Sequence, residues 1–149
     1  MHRVHRSVIV PYSRAQMFAL VHDVAQYPKF LPWCAATHVR PQPQGQDVVE
    51  ARVEIAYMGV QSHFTTTNVH RFPESITLAL VDGPFRDLRG EWSFRALGED
   101  ACKVSLDLHY RFAAGLLGRA IAPVFERVAN SLVDAFAARA EQMYGQVAD

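Results

Sequence analysis

The chain has 149 residues, half of them hydrophobic, and its 15 lysines and arginines balance its 15 aspartates and glutamates. This length suits a single domain with one core, which we expect to span residues 1–149, and the zero net charge gives no support to non-specific nucleic-acid binding, so DNA is not an expected partner. Two distant cysteines and the lack of a long apolar stretch disfavour a disulfide framework, a zinc site, a signal peptide and a membrane span, and they favour a cytoplasmic protein.

The first elements in the chain are a strand and a short helix. Residues 2–10 fit a strand, and Ser13 with Gln16 three residues later forms the capping box that begins a helix. Apolar residues then recur at the spacing of one helical face, at Met17, Leu20, Val21 and Val24. We therefore predict a helix directly after the first strand.

The stretch AQYPKFLPWC, residues 25–34, follows this helix. Pro28 and Pro32 each remove a backbone N–H donor, which limits a second helix to a short turn. The stretch is more apolar than a solvated loop, because it carries Tyr27, Phe30, Leu31 and Trp33. Two interpretations remain open: a stiff lid over one end of a cavity, or a plug of the core between helix and sheet.

From about residue 35 to about residue 112, apolar and polar residues alternate with a period of two. The segments VVEARVEIAY and DACKVSLDLHYRF show the alternation most clearly, and it is typical of strands with one buried and one solvated face. Turn signals at Met58-Gly59, Pro73-Glu74 and Asp82-Gly83-Pro84 separate the strands. The pattern predicts an antiparallel meander of about six strands.

The final segment, from about Leu116 to Tyr144, returns to helical spacing, and Pro123 either kinks it or marks the start of its main part. Its predicted apolar face comprises Ile121, Phe125, Val128, Leu132, Phe136 and Met143. The predicted fold is therefore α+β: a curved antiparallel sheet wrapped around a long C-terminal helix, with two short helices after the first strand.

A curved sheet covered by one helix leaves space between the two, and that space is the candidate ligand cavity. The alternation predicts that it is lined by Val49, Ala51, Val53, Ile55, Tyr57, Phe64, Ile76, Leu78, Leu80, Leu88, Trp92, Phe94, Val104, Leu106, Leu108 and Tyr110. Carboxylates and histidines are missing from this set. If Phe64 points inward, Thr66 and Asn68 follow it and form a small polar patch.

Catalytic signals are weak throughout the sequence. The chain has no GxSxG, HExxH or GxGxxG motif and no phosphate-binding loop. The pairs His22-Asp23, His2/His5 and His63/His109 fit solvent-exposed positions better than a catalytic dyad or a metal site. We therefore expect a binding protein rather than an enzyme, with no catalytic residue, no metal ligand and no required cofactor.

Three blocks of the chain carry a family resemblance. They are VPYSRAQMFALVHDVAQYPKFLPWC, VDGPFRDLRGEW and NSLVDAFAARA, and the likeness extends over essentially the whole chain. In these blocks the chain is similar to the bacterial branch of the coenzyme Q-binding, START-like family, whose members are also described as polyketide cyclase-like proteins or as the ribosome association toxin RatA.

The resemblance implies a helix-grip fold with a hydrophobic tunnel that carries an isoprenoid quinone such as ubiquinone, or another lipophilic small molecule, in support of respiration. A transient contact with a membrane surface would accompany such a role. For bacterial members the resemblance also implies an alternative, binding to the large ribosomal subunit and blocking subunit association; a polyketide cyclase-type enzyme is a third interpretation. The ligand-binding residues we expect are Tyr27, Phe30, Leu31, Trp33, Val53, Ile55, Tyr57, Phe64, Leu78, Leu80, Phe85, Leu88, Trp92, Phe94, Leu106, Leu108, Tyr110, Phe125, Val128 and Leu132.

A ribosome-directed role would need basic residues clustered on one surface. The candidates are Arg71, Arg86, Arg89, Arg95 and Arg111, and their acidic neighbours Glu74, Asp87, Glu91 and Asp107 dilute the positive charge. The sequence by itself does not place these arginines on one face, so the quinone-carrier and ribosome hypotheses both stay open.

Overall fold

The computed structural model describes residues 1–43 and 45–145, so residue 44 and residues 146–149 of the predicted domain lie outside the description. The strands, in chain order, are β1 His2–Val10, β2 Cys34–Gln42, β3 Gly45–Tyr57, β4 Val60–Arg71, β5 Ser75–Asp82, β6 Phe85–Ala96 and β7 Cys102–Phe112. The helices are α1 Arg14–His22, a 3₁₀ helix Val24–Lys29, and α2 Leu116–Tyr144. The elements follow one another in the predicted order.

The strands form one antiparallel sheet in the order β1-β7-β6-β5-β4-β3-β2. Strands β2 to β7 are the predicted meander, and β1 pairs with β7 at the far side. The pairing register shifts at four places, two of which are between Thr65 and Thr66 on β4 and between Phe85 and Asp87 on β6. Such irregularities bend strands and increase their twist, which curves the sheet around α2.

The short helices begin and end as their sequence predicts. The hydroxyl of Ser13 accepts a bond from the backbone N–H of Gln16 at 3.1 Å, and the Gln16 side chain accepts from the backbone N–H of Ser13 at 2.9 Å. Pro28 lies inside the 3₁₀ helix, which ends at Lys29. The capping box and the short second helix are therefore both confirmed.

Helix α2 covers the concave face of the sheet. Its buried residues include Ile121, Phe125, Val128 and Phe136, as its spacing predicts. Met143 was expected on the same face, but the structure corrects this, because its side chain is 53% exposed. The last turn of α2 contacts α1 instead of the sheet: the hydroxyl of Tyr144 donates to the backbone carbonyl of Gln16 at 3.2 Å.

Candidate ligand-binding site

A narrow, partly open cavity of about 70 Å³, the inner cavity, lies between the concave face of the sheet and α2. Its wall comprises Val24, Tyr27, Trp33, Ala51, Val53, Phe64, Thr66, Asn68, Leu78, Trp92, Leu132 and Phe136. The wall is apolar apart from the Tyr27 hydroxyl, the indole N–H groups of Trp33 and Trp92, and the side chains of Thr66 and Asn68. The volume is well below the roughly 300–1,000 Å³ of ordinary small-molecule sites. A bound ligand would therefore require the surrounding side chains to move apart.

An outer groove of about 370 Å³ lies beside this cavity. It is lined by Leu31, Pro32, Trp33, Tyr57, Arg127, Val128, Ser131 and Ala135, so it runs between the AQYPKFLPWC segment and α2. Trp33 belongs to both linings and is only 6% exposed. The Trp33 side chain therefore lies between the outer groove and the inner cavity.

Two polar residues interrupt the apolar wall. Thr66 and Asn68 lie two positions apart on β4 and are 4% and 5% exposed. The hydroxyl of Thr66 donates to Oδ1 of Asn68 at 2.6 Å. Because the oxygen of the amide takes this bond, its Nδ2 group is left to face other partners. The predicted polar patch is thus present at the cavity wall.

The AQYPKFLPWC segment is held to its surroundings by one polar bond and by aromatic packing. The Tyr27 hydroxyl donates to the backbone carbonyl of Val21, and burial raises the pKa of this hydroxyl. The rings of Tyr27 and Phe30 meet the Phe136 ring of α2 edge-on, with centroids 5.4 and 5.3 Å away. The guanidinium of Arg139 lies 4.9 Å from the Phe30 ring centroid. Tyr27 and Trp33 reach the cavity, whereas Phe30 packs beside it.

The predicted site residues lie in four places. The inner cavity is lined by Tyr27, Trp33, Val53, Phe64, Leu78, Trp92 and Leu132. Leu31, Tyr57 and Val128 line the outer groove, while Phe30 borders a separate surface groove between α1 and the end of α2. Ile55, Phe85, Leu88, Phe94, Leu106, Leu108, Tyr110 and Phe125 are buried in the packed core, with Leu80 partly buried at its edge.

The packed group explains why the expected tunnel is so short. Phe85 was among the expected ligand-binding residues, but its side chain is 6% exposed and its ring centroid lies 4.8 Å from that of Phe125. The Tyr110 ring lies 4.9 Å from Phe125 on another side. These rings fill the space between sheet and helix, so the open volume is confined to the end near Trp33.

His70 is the inward residue that the sequence interpretation missed. It continues the alternation of Phe64, Thr66 and Asn68 on β4, so the same period would have found it. Its ring is buried, and neither ring nitrogen has a hydrogen-bond partner among the described residues. It lies apart from the cavity, with its ring centroid 4.3 Å from that of the exposed His22.

The two spaces offer little for acid–base or nucleophilic chemistry. Cys34 follows Trp33, and burial raises the pKa of its thiol to about 11, which keeps it protonated at neutral pH. Among residues 1–43 and 45–145, no group of three or more His, Cys, Asp or Glu is arranged to hold a metal ion. The arrangement suits an apolar molecule that carries a polar group at one end.

The chain has clear relatives. Residues 10–137 match the family described as "Polyketide cyclase / dehydrase and lipid transport". A Pseudomonas aeruginosa protein named "Ribosome association toxin RatA" is 42% identical over 142 residues, which cover 95% of this chain and 97% of the relative. The mitochondrial "Coenzyme Q-binding protein coq10" of Schizosaccharomyces pombe is 26% identical over 140 residues, which cover 91% of this chain and 84% of the relative.

Solved structures show the same fold. The Zhui aromatase/cyclase from Streptomyces sp. R1128 superposes with a TM-score of 0.82 at 17% identity, covering 95% of this chain and 94% of that one. A START superfamily protein from Mycobacterium smegmatis superposes with a TM-score of 0.80 at 21% identity, covering 96% and 99%. At these identities the likeness concerns the fold alone, and it confirms the predicted helix-grip architecture.

Proposed function

Because the chain belongs to the polyketide cyclase/dehydrase and lipid transport family, we propose that it is a non-catalytic carrier that holds an isoprenoid quinone, such as ubiquinone, between the sheet and α2. This proposal rests on the chemistry of the inner cavity, whose wall is largely apolar and includes one amide side chain, that of Asn68. A quinone combines a large apolar surface with carbonyl oxygens that accept hydrogen bonds. That combination matches the wall.

The outer groove supplies the additional room that a quinone needs. Its volume of about 370 Å³ lies within the range of small-molecule sites, whereas the inner cavity alone is too small for a quinone. A rotation of the Trp33 side chain would join the two spaces. The ligand's head would then occupy the inner cavity, and its apolar tail would lie along Leu31 and Val128 in the groove.

A carrier role agrees with the name of one relative. The yeast relative is named as a coenzyme Q-binding protein. In the described part of the chain, no helix is long and apolar enough to cross a membrane. We propose that the carrier works in the cytoplasm and meets the membrane surface transiently to exchange its ligand.

Native mass spectrometry of freshly purified protein, followed by solvent extraction, tests this proposal. We expect a retained mass that is released as a quinone. Val53→Trp should abolish retention of the quinone, because Val53 lines the inner cavity and the indole ring of tryptophan would fill it. The matched control is Val39→Trp, at a side chain that is 44% exposed on β2, and it should retain the ligand. Loss in neither variant, or an extract without quinone, would contradict the proposal.

A second candidate function, association with the large ribosomal subunit, is favoured by the names of relatives such as the Pseudomonas protein. The register places Arg71, Arg89, Arg95 and Arg111 on the outer face of the sheet, with Arg86 exposed at the β6 irregularity. Arg89 of β6 lies opposite His109 of β7, and His109 lies opposite Arg3 of β1. These three side chains therefore form a row across three neighbouring strands.

Acidic residues share this outer face and weaken its positive potential. Glu91 lies directly opposite Asp107. The Arg3 guanidinium hydrogen-bonds both oxygens of Asp107, at 3.1 and 3.2 Å, and holds the pKa of that carboxyl below its usual range. The arginines therefore do share one face, but the face is mixed in charge.

Sedimentation with purified large subunits tests the ribosomal role. We expect Arg86→Glu/Arg89→Glu to lose co-sedimentation, because charge reversal replaces attraction to RNA phosphate by repulsion. The control Arg40→Glu/Arg119→Glu changes net charge equally at exposed sites on β2 and α2 and should still co-sediment. If both double variants behave like the wild type, the outer face of β6 is not the ribosomal contact.

A further inference from the structure

Thr66 and Asn68 are unusual because each of them faces apolar residues on both neighbouring strands. Thr66 lies between Ala51 of β3 and Leu80 of β5, and Asn68 lies between Val49 and Leu78. Burying an amide in such surroundings is unfavourable unless its hydrogen-bonding groups find partners. The Thr66 hydroxyl satisfies the amide oxygen at 2.6 Å. The amide's two N–H donors lie outside that bond.

From this geometry we propose that Asn68 recognises the ligand's polar head by donating a hydrogen bond from Nδ2 to a carbonyl oxygen. Thr66 is the positioning residue: by donating to Oδ1, it fixes which end of the amide is free. This inference rests on the proposed function, and it deepens that function by naming the ligand feature that is read. The site selects apolar molecules that end in a carbonyl acceptor over hydrocarbons of the same size.

The proposal also sets the direction in which the ligand lies. Asn68 lies at the wall of the inner cavity, and Trp33 lies between that cavity and the outer groove. A head bound to Asn68 is therefore innermost, and the tail extends past Trp33 toward the groove. Among the apolar side chains of the cavity wall, a carbonyl that meets no donor would lose its hydration and gain nothing in return, so the amide should favour ligands that carry a carbonyl.

The experiment compares two probes, decylubiquinone and decylbenzene, by their displacement of the apolar dye N-phenyl-1-naphthylamine. Wild-type protein should prefer decylubiquinone. Asn68→Leu, of similar size, should weaken decylubiquinone binding about tenfold while changing decylbenzene binding by less than about twofold. Thr66→Val should cause a smaller loss, of about threefold, because the amide remains but is no longer oriented. Thr67→Val, on the outer face of the same strand, is the matched control and should match the wild type.

Thermal stability separates recognition from a structural role. Thr66→Val/Asn68→Leu replaces both bonded partners by apolar groups of similar shape, so its melting temperature should be equal to or above that of the wild type. The same double variant should have lost its preference for decylubiquinone, and it decides the matter if Asn68→Leu alone fails to fold. A folded double variant that keeps the preference would overturn the role of Asn68. Wild-type protein that binds neither probe would instead contradict the proposed function itself, and this inference with it.

Discussion

His70 is a buried histidine whose neighbours do not compensate its burial. Burial lowers the pKa of its ring, and the nearby His22 ring lowers it further, while the exposed Asp47 acts weakly in the opposite direction. Phe18 packs edge-on against it, with ring centroids 6.2 Å apart. The folded protein therefore holds His70 in the neutral form at neutral pH.

This burial predicts a loss of stability in mild acid. The unfolded chain binds a proton near the ordinary pKa of 6.5, whereas the folded chain binds it only at lower pH. The unfolded state therefore carries more protons between the two pKa values, and stability falls as pH drops through that window. Urea unfolding at pH 7.5 and 5.5 measures the effect. His70→Phe should flatten this dependence, and His5→Gln, at an exposed position on β1, should change it far less. Equal pH dependence in all three proteins would show that His70 is not the group responsible.

Among the elements, helix α1 depends on the residue that caps its N-terminus, Ser13. The Ser13 hydroxyl accepts the N–H of Gln16, one of the donors that a helix start leaves without a partner. We expect Ser13→Ala to lower the free energy of unfolding by about 1 kcal/mol, with ligand preference unchanged. Ser7→Ala, exposed on β1, is the control. Identical melting curves for both variants would mean that the cap contributes nothing measurable.

The AQYPKFLPWC segment contributes side chains both to the core and to the cavity wall. Leu31 is 1% exposed and is a core residue, whereas Tyr27 and Trp33 reach the cavity. Phe30 is only partly buried, so Phe30→Ala should cost less than the roughly 3–5 kcal/mol of a fully buried ring. The segment is thus anchored in the core by Leu31, and it borders the cavity through Tyr27, which precedes Leu31, and Trp33, which follows it.

Rigidity of this segment predicts the rate of ligand exchange. Pro32 is exposed between Leu31 and Trp33, so Pro32→Gly should lower stability by only about 1 kcal/mol, chiefly through the unfolded chain. It should accelerate transfer of a fluorescent quinone analogue to liposomes, because Trp33 is held less firmly. Stopped-flow transfer and a melting curve give the two quantities, with Pro41→Gly on the edge strand β2 as control. An unchanged transfer rate would leave the segment as a plug of the core.

At the scale of the whole molecule, sheet and α2 share one continuous core. Buried side chains from β1 to β7 pack with those of α2, and the cavity lies within that core. Ligand binding between the two layers should therefore stabilise the whole unit. At a free concentration of a hundred times Kd, we expect a gain of about 2.7 kcal/mol in a single cooperative transition. Calorimetry with decylubiquinone measures it, and Val53→Trp should show no gain. Stabilisation of Val53→Trp equal to that of the wild type would place the ligand outside the cavity.

The sequence was sufficient where the signal is local. The bounds of α2 and the capping box at Ser13 follow from residue spacing and from hydrogen bonds between near neighbours in the chain. Periodicity also predicted that Val53 and Thr66 point inward. It would have identified His70 too, had the alternation on β4 been followed two residues further.

What the sequence by itself determined, then, is the order of the elements, the face each strand buries, the chemistry of that face and the family. The tertiary structure alone decided how much space remains between the sheet and α2 and which residues border that space. Whether Phe85 lines a tunnel or packs against Phe125 depends on where α2 lies over the sheet and how the irregularities in β4 and β6 bend it. Periodicity gives the direction of a side chain but not the distance to the surface it faces. That distance is set by the volumes of side chains far apart in the chain, which pack closely around Phe85 and Phe125 and leave space beside Trp33.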